Sequence, residues 1–145
     1  MSKKNMSKKF EFVLSLNEIS QIAEILPKKG IILLMGDLAS GKTTLVKAIA
    51  KTHGIDPKIV NSPTFSIMQK YGQIYHYDIY NDGSSGLLKN GLFENFFEDG
   101  LHIVEWADEN LIELLKKYLL DFCIVKIEIN GDKRKYEVNN AYTRS

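Results

Sequence analysis

The segment Gly36-Asp37-Leu38-Ala39-Ser40-Gly41-Lys42-Thr43-Thr44 decides how the rest of this sequence is interpreted. Its first eight residues fit the Walker A pattern Gly-x-x-x-x-Gly-Lys-Ser/Thr, in which four positions are fixed. Residues 31–35 before it form an apolar run of strand length, typical of strands buried on both faces of a parallel sheet. Residues 42–53 after it repeat apolar residues with helical spacing, and Gly54 ends that helix. A strand, this loop and a helix in this order predict a phosphate-binding loop (P-loop).

The chemistry expected of this loop follows from its backbone and from a few side chains. Successive backbone N–H groups point into a nest around a phosphate, and the helix that follows adds the positive end of its dipole. Lys42 reaches the β- and γ-phosphate oxygens, the Thr43 hydroxyl ligates magnesium, and Thr44 contacts the α-phosphate. We therefore expect ATP and Mg²⁺ as cofactors. The predicted cofactor-binding residues are Gly36, Asp37, Leu38, Ala39, Ser40, Gly41, Lys42, Thr43 and Thr44.

Two strand ends supply the carboxylates that such a site needs. Residues 101–105 are mostly apolar and end in Glu105, the layout of a Walker B strand with Glu in place of Asp. Residues 74–78 end in Asp78, and period-two alternation puts His76 on the same face. Ligands bind at the carboxyl ends of strands in α/β sheets, which favours function over a solvated strand end. We assign Glu105 to the metal and Asp78 to positioning of water, and we interpret His76 as a structural, hydrogen-bonded histidine.

The remaining pattern predicts one α/β domain, a P-loop NTPase fold with a mixed β-sheet flanked by helices. Short apolar or alternating runs predict the strands. An antiparallel hairpin is expected around Gly72-Gln73, and Asn130-Gly131-Asp132 predicts another between the last two strands. The predicted strands are 10–14, 31–35, 65–71, 74–80, 101–106, 122–129 and 134–138.

Helix and loop signals fall between these strands. Ser15 and Glu18 have the spacing of a capping box at the start of a helix that Pro27 closes. Asp108 is expected to cap another helix. Residues 81–86, which include two glycines and two serines, predict a mobile loop.

Length and composition fit a single folded domain. The 145 residues are too few for two domains of ordinary size, and 44% hydrophobic with 26% charged residues is typical of globular proteins. The sequence predicts a disordered, lysine-rich lead-in over residues 1–9, the P-loop domain over 10–140 and a tail over 141–145. Cys123 lies in an apolar run, and we expect a buried thiol there rather than a nucleophile.

The charge balance argues against tight binding of nucleic acid by this chain alone. Nineteen Lys and Arg residues against eighteen Asp and Glu residues leave a formal charge of +1, so there is no overall basic field. No apolar stretch reaches the length of a membrane span, and no signal-peptide pattern follows the N-terminal lysines. We expect no membrane association and a cytoplasmic location.

Three other functions share the P-loop signature. A small-molecule kinase stabilises the transferred phosphoryl group with several arginines, whereas only Arg134 and Arg144 are arginines here. A GTPase normally carries Asn-Lys-x-Asp and Asp-x-x-Gly segments, and neither occurs in this sequence. A nucleotide-binding interaction module without turnover stays open, because only a turnover measurement separates it from an ATPase.

Four motifs, taken in order, resemble those of the TsaE family, the P-loop ATPases of bacterial tRNA threonylcarbamoyladenosine synthesis. The resemblance covers about Ser15 to Val138. Walker A alone is common to many families, whereas a Ser-Pro-Thr-Phe segment and a Glu-Trp pair at these separations are much more specific. The motifs are Gly36–Thr44, Ser62-Pro63-Thr64-Phe65, His76-Tyr77-Asp78-Ile79-Tyr80 and Val104-Glu105-Trp106.

The resemblance implies individual roles and a partner. Residues 62–65 would behave as a switch near the γ-phosphate, and hydrolysis would serve a complex of the TsaB and TsaD proteins. Transfer RNA would then be reached only indirectly, through that complex. The implied metal ligands are Thr43 and Glu105, and the predicted catalytic residues are Asp78, Trp106 and Lys42.

Two positions depart from the family pattern. Family P-loops usually have Gly-Ala where this chain has Ala39-Ser40. If position 39 needs a positive φ, Ala is strained there by about 1 kcal/mol or more, which would weaken ATP binding. The family also usually has Arg where this chain has Asn81, so a role for that arginine in charge stabilisation is in doubt here.

We predict that Lys42→Ala and Thr43→Ala each abolish ATP hydrolysis, because phosphate charge neutralisation and metal ligation depend on these side chains. Loss of one charge-assisted contact should weaken binding by roughly 1.5–3 kcal/mol. Isothermal titration with magnesium and ATP measures this, with Lys116→Ala, near the end of a different predicted helix, as the control. Wild-type affinity in both P-loop variants would contradict the assignment.

Overall fold

The computed structural model describes residues 9–61 and 67–142. Within these residues the chain forms seven strands and four α-helices, joined in part by short 3₁₀ turns. The strands are β1 (Lys9–Leu14), β2 (Gly30–Gly36), β3 (Met68–Tyr71), β4 (Ile74–Asp78), β5 (Leu101–Glu105), β6 (Phe122–Asn130) and β7 (Lys133–Tyr142). The helices are α1 (Ser20–Ile25), α2 (Lys42–Thr52), α3 (Ser84–Lys89) and α4 (Glu109–Lys117).

All seven strands belong to one mixed sheet with the order β1-β7-β6-β2-β5-β4-β3. The four central strands, β6, β2, β5 and β4, run parallel. Both predicted hairpins are present, β3–β4 and β6–β7, and β1 adds antiparallel to β7. The predicted α/β fold with a mixed sheet is confirmed. Because β2, β5 and β4 are adjacent and parallel, their carboxyl ends meet at one edge of the sheet.

Helices cover both faces of this sheet. Ile32 and Leu34 of β2 pack in the cluster that contains α1 and α2, whereas Ile31 and Leu33 pack in the cluster that contains α3 and α4. Each fully buried aliphatic side chain of this kind stabilises the fold by about 1.5–3 kcal/mol. A central strand with apolar residues on both faces therefore anchors the loop that follows it.

The predicted helix signals hold in the structure. The Asp108 side chain accepts a hydrogen bond from the Leu111 N–H at 2.8 Å and caps α4. Glu18 reaches back so that Oε1 accepts from the Ser15 N–H at 2.9 Å, before the start of α1. These bonds satisfy backbone donors that a helix leaves free at its first turn.

The prediction of a mobile loop over 81–86 is wrong in its second half, because Ser84, Ser85 and Gly86 form the first turn of α3. The Ser84 N–H donates to Asp108 Oδ2 at 3.1 Å, and the Ser85 hydroxyl donates to the Asp82 carbonyl at 2.6 Å. These contacts outweigh the low helix propensity of glycine and serine.

Each strand differs from its predicted bounds at one end or at both. The predicted strand 74–80 ends at Asp78, and the predicted strand 101–106 ends at Glu105 because Trp106 takes a left-handed backbone with φ of 65°. β3 begins at Met68, and the predicted switch segment 62–65 lies outside the described residues. Most of the predicted lead-in also lies outside them. Strands β1 and β7 extend slightly beyond the predicted domain limits of 10 and 140.

Buried side chains on β4 and β6 follow the sequence pattern. Tyr75 and Tyr77 of β4, and Ile79 just after it, are buried on the α3–α4 side of the core, because they alternate along the chain with His76 and Asp78. Cys123 is buried, and burial raises the pKa of its thiol to about 12, which makes it a poor nucleophile. Over residues 9–61 and 67–142, no helix is both long enough and apolar enough to cross a membrane.

Candidate functional site

The P-loop begins at Gly36, the last residue of β2, and ends at Lys42, the first residue of α2. Gly36 has no room for a side chain, because a Cβ would lie 2.6 Å from the Ile127 carbonyl oxygen and 2.7 Å from Ser40 Oγ. Gly41 precedes α2 with φ of 106°, which glycine adopts without strain. Close packing therefore requires the first fixed glycine of the motif, and backbone conformation requires the second.

Lys42 folds back over the loop. Its Nζ donates to the carbonyl oxygens of Gly36 at 2.8 Å and Asp37 at 2.9 Å, and it lies 3.8 Å from the centroid of the Trp106 ring. Burial lowers the pKa of Lys42, while the nearby carboxylates, with that of Glu105 the strongest, raise it. The ammonium group is thus held at the base of the loop by acceptors and an aromatic face.

Thr43 and Glu105 meet although 62 residues separate them in the chain. The Thr43 hydroxyl lies 3.0 Å from each carboxylate oxygen of Glu105. Glu105 is only 2% exposed, and His76, which is fully buried, places Nε2 at 2.5 Å from Glu105 Oε2. The structure therefore brings the two predicted metal ligands into contact and shows His76 as a buried, hydrogen-bonded histidine.

Asp78 lies beside Glu105 because β4 and β5 are parallel neighbours in register. Burial raises the pKa of Asp78, and the charge of Glu105 raises it further. A hydrogen bond from the Tyr80 N–H to Oδ1, at 3.0 Å, has the opposite effect on this pKa. Two carboxylates therefore share one edge of the sheet, and the net effect of these surroundings is a raised pKa for Asp78.

Two residues at this site have strained backbones. Ala39 has φ of 63° and Trp106 has φ of 65°. A left-handed conformation costs a residue with a side chain roughly 1–2 kcal/mol, so the expectation of strain at Ala39 is confirmed. The turn at Trp106 places its indole over Lys42 and against Tyr80, with ring centroids 4.6 Å apart. Such strain is concentrated at functional sites in proteins.

One cavity of about 410 Å³ collects most of the predicted site residues. Three predicted cofactor-binding residues do not line it. Gly36 is packed against β6, Asp37 presents its carbonyl to Lys42, and Ser40 is buried within the loop. The lining residues are Leu38, Ala39, Gly41, Lys42, Thr43, Thr44, Asp78, Tyr80, Glu105 and Trp106.

Sequence reasoning missed two residues at this site. Tyr80 lines the cavity, and its two-residue spacing from Asp78 was a signal that both side chains point the same way. Arg134 Nε donates to the Ser40 carbonyl at 3.0 Å and holds the loop from outside. No local signal marks Arg134, because this contact depends on the order of β7 and β6 beside β2. Asn81 is exposed and does not line the cavity.

A second cavity of about 630 Å³ adjoins the first at Thr44, which lines both. It lies between the chain around α1 and one side of α2. Leu16 and Ile19 contribute apolar surface from the first segment, and Lys47 and Ala48 contribute from α2. The two cavities therefore share one lining residue, and the second is the larger and is of mixed polarity.

Comparison with known proteins gives consistent matches. The family model of the threonylcarbamoyl adenosine biosynthesis protein TsaE matches residues 14–138. The protein TsaE of Bacillus subtilis is 43% identical over 102 residues, which are 66% of this chain and 61% of that protein. TsaE of Rickettsia bellii is 29% identical over 133 residues, 87% of this chain and 88% of that protein. The chain therefore aligns with less than two thirds of the Bacillus protein's length.

The fold also matches a solved structure. The crystal structure of Bacillus subtilis YdiB superposes with a TM-score of 0.62 and 26% sequence identity. The match covers 95% of this chain and 88% of the YdiB chain. The likeness thus extends over the sheet and the helices on both of its faces.

We predict that Ala39→Gly stabilises the folded protein. Glycine removes a left-handed strain of roughly 1–2 kcal/mol, against about 0.4–1 kcal/mol for the greater freedom of glycine in the unfolded chain. The free energy of unfolding should therefore rise by about 0.5–1 kcal/mol, as the difference of these two effects. Urea unfolding measures this change.

Ala48→Gly is the matched control, since Ala48 lies inside α2 with an ordinary helical backbone. There the same substitution should lower the free energy of unfolding by about 1 kcal/mol. If both variants destabilise the protein equally, Ala39 is not strained.

Proposed function

The chain belongs to the TsaE family, and from this premise we propose that it is a magnesium-dependent ATPase acting in tRNA threonylcarbamoyladenosine biosynthesis. One observation carries the proposal. The cation of Lys42, the hydroxyl of Thr43 and the carboxylate of Glu105 meet in one cavity at the carboxyl edge of parallel strands. A positive group and hard oxygen donors side by side suit a nucleotide with its metal ion.

The side chains present fit both magnesium and phosphate. Mg²⁺ prefers oxygen ligands and commonly takes only one or two from the protein, with the rest from phosphate and water. Thr43 and Glu105, 3.0 Å apart, offer such a pair. Lys42 and the N-terminus of α2 offer positive charge for the phosphates. Bound magnesium would neutralise the charge of the phosphate oxygens and polarise the γ-phosphoryl group.

Three side chains would perform the other functions of the site: Lys42, Asp78 and Trp106. Lys42 would exchange its carbonyl partners for phosphate oxygens. Asp78, adjacent to Glu105 in the sheet and half-buried, would orient a water molecule and accept its proton, and the raised pKa of Asp78 suits that role. Trp106 would shield Lys42 from water on one side, since its ring already covers the ammonium group.

The groove beyond Thr44 gives the nucleoside part of ATP a place to lie. Because Thr44 lines both cavities, a nucleotide with its phosphates on the P-loop has open space immediately past the predicted α-phosphate contact. Apolar contacts from Leu16, Ile19 and Ala48 suit a flat base. This arrangement supports a nucleotide rather than inorganic phosphate as the ligand.

A small-molecule kinase is less well supported by the geometry. Within the described residues, Arg134 directs Nε to the Ser40 carbonyl and Nη1 to the Lys133 carbonyl. Its hydrogen bonds therefore support the loop from outside the cavity. Among the described residues no arginine lines that cavity, although arginines commonly stabilise the phosphoryl group in P-loop kinases.

We further propose that hydrolysis supports a complex of TsaB and TsaD, with tRNA reached only through that complex. The cavity mouth carries Leu38 and Tyr80, whose side chains are exposed by 71% and 59%. Exposed apolar groups of this size at a rim suit contact with another protein. The net charge of +1 gives little attraction to the phosphates of tRNA.

We predict that replacing the two acids gives different defects. Glu105→Ala should lose activity together with the magnesium dependence of nucleotide binding, because a metal ligand is removed. Asp78→Ala should retain magnesium-dependent binding and lose turnover. ATP titration with and without magnesium, together with phosphate release, measures both properties.

Asp82→Ala serves as the control for the loss of an acidic residue outside the cavity. Exchanged phenotypes would mean that the two roles are reversed. Full activity in both variants would mean that neither acid serves the reaction.

We predict weak hydrolysis by the purified protein and stimulation of at least several-fold by TsaB and TsaD. The open cavity leaves water access to the site, and a partner that covers Leu38 and Tyr80 would reduce it. Steady-state phosphate release with and without the two proteins measures the effect, and Asp78→Ala shows the background. Fast turnover that the partners do not change would indicate an independent enzyme.

A further inference from the structure

Two buried tyrosine–histidine pairs lie on opposite faces of the sheet. In the first, the Tyr71 hydroxyl is 3.1 Å from His76 Nδ1, on the side of α2. In the second, the Tyr77 hydroxyl is 2.8 Å from His102 Nδ1, on the side of α4. All four side chains are buried. The two pairs have the same chemistry and similar burial. They differ in what the other imidazole nitrogen, Nε2, contacts.

Only the first pair reaches the P-loop site. His76 Nε2 is 2.5 Å from Glu105 Oε2, whereas His102 Nε2 bonds the backbone carbonyl of Glu98 at 2.9 Å. Glu105 in turn contacts Thr43. A continuous line of buried polar groups therefore runs from Tyr71 to the predicted metal ligands.

The chemistry of the carboxylate fixes the donor that faces it. An ionised carboxylate can only accept hydrogen bonds, so His76 Nε2 carries the hydrogen that faces Glu105. The Tyr71 hydroxyl contacts the other imidazole nitrogen, Nδ1, and its single hydrogen has two further acceptors within reach, Gln69 Oε1 at 2.7 Å and the Asn61 carbonyl oxygen at 3.1 Å. These contacts, together with a hydrogen bond that the Asn61 N–H donates to the hydroxyl oxygen at 3.4 Å, hold Tyr71 against the imidazole.

We propose that His76 is a positioning residue for the carboxylate of Glu105, and that Tyr71, through its contact with Nδ1, fixes the orientation of the imidazole ring. The inference rests on the proposed function, in which Thr43 and Glu105 ligate magnesium. In that arrangement Thr43 would serve the cation as well as Glu105, whereas His76 Nε2 contacts the carboxylate alone. His76 then remains as the donor that holds Oε2, and Glu105 is too buried for water to replace it.

The first test replaces the imidazole. His76→Leu removes the donor behind Glu105, and His76→Gln keeps an N–H group near the position of Nε2. Groups that orient a metal ligand typically contribute 10–100-fold to metal affinity, so the half-saturating Mg²⁺ concentration should rise about 10–100-fold in His76→Leu. It should return to within about threefold of wild type in His76→Gln.

Trp106 supplies a readout that needs no turnover. It is the one tryptophan in the sequence, and it follows Glu105 directly and lines the cavity. Its fluorescence is followed while MgCl₂ is added to protein with ADP, and a titration of ADP without magnesium is the reference. ADP affinity without magnesium should be unchanged in these variants, since His76 does not line the cavity.

The second test uses the two tyrosines as a matched pair. Tyr71→Phe and Tyr77→Phe each remove one buried hydroxyl from a histidine and keep the ring, so each should lower the melting temperature. Only Tyr71→Phe should weaken magnesium binding, by at least about threefold. This comparison also tests the positioning role of His76 if His76→Leu fails to fold.

The outcomes separate this inference from the function on which it rests. A wild-type protein without any magnesium response in the presence of ADP would overturn both. A normal wild-type response, with equal magnesium affinity in Tyr71→Phe and Tyr77→Phe, would overturn the positioning role alone. A selective loss in Tyr71→Phe, with rescue by His76→Gln over His76→Leu, would establish it.

Discussion

The hydrogen bond between the Thr43 hydroxyl and the Glu105 carboxylate is the contact on which the site depends. It joins the first turn of α2 to the end of β5, two elements far apart in the chain. Both partners are held independently, Thr43 by a helix and Glu105 by a fully buried strand. A buried carboxylate is costly unless it has hydrogen-bond donors. Thr43 and His76 supply them, so the site is formed before any ligand arrives.

The sheet order makes this contact possible. β5 lies between β2 and β4, so Glu105 is aligned with Leu34 on one side and Asp78 on the other. The P-loop leaves β2 two residues beyond Leu34, at the same edge. Parallel alignment of these three strands therefore places the P-loop, Glu105 and Asp78 together at one edge of the sheet. The apolar residues on both faces of β2 keep this alignment rigid.

The sequence was sufficient for those features that local chemistry determines. The Walker A glycines, the acids at two strand ends and the Asp108 cap each have a short-range signature. The contact of Arg134 with Ser40 has none, because it arises only when β7 lies beside β6. The first turn of α3 was also missed, since a tertiary hydrogen bond to Asp108 stabilises it against poor helix propensity. What sequence alone could not supply was therefore the pairing of distant elements.

The contacts that Lys42 already makes would limit the affinity of the site for phosphate. Its ammonium group already has two carbonyl acceptors and lies over the Trp106 ring, and each of these contacts must be exchanged or kept when phosphate binds. A charge-assisted hydrogen bond contributes roughly 1.5–3 kcal/mol, so the gain from phosphate is a difference between comparable interactions. The internal contacts in turn hold a buried cation in place. Under the proposed function, a preformed loop of this kind would bind the nucleotide with moderate affinity, which would favour release of the product.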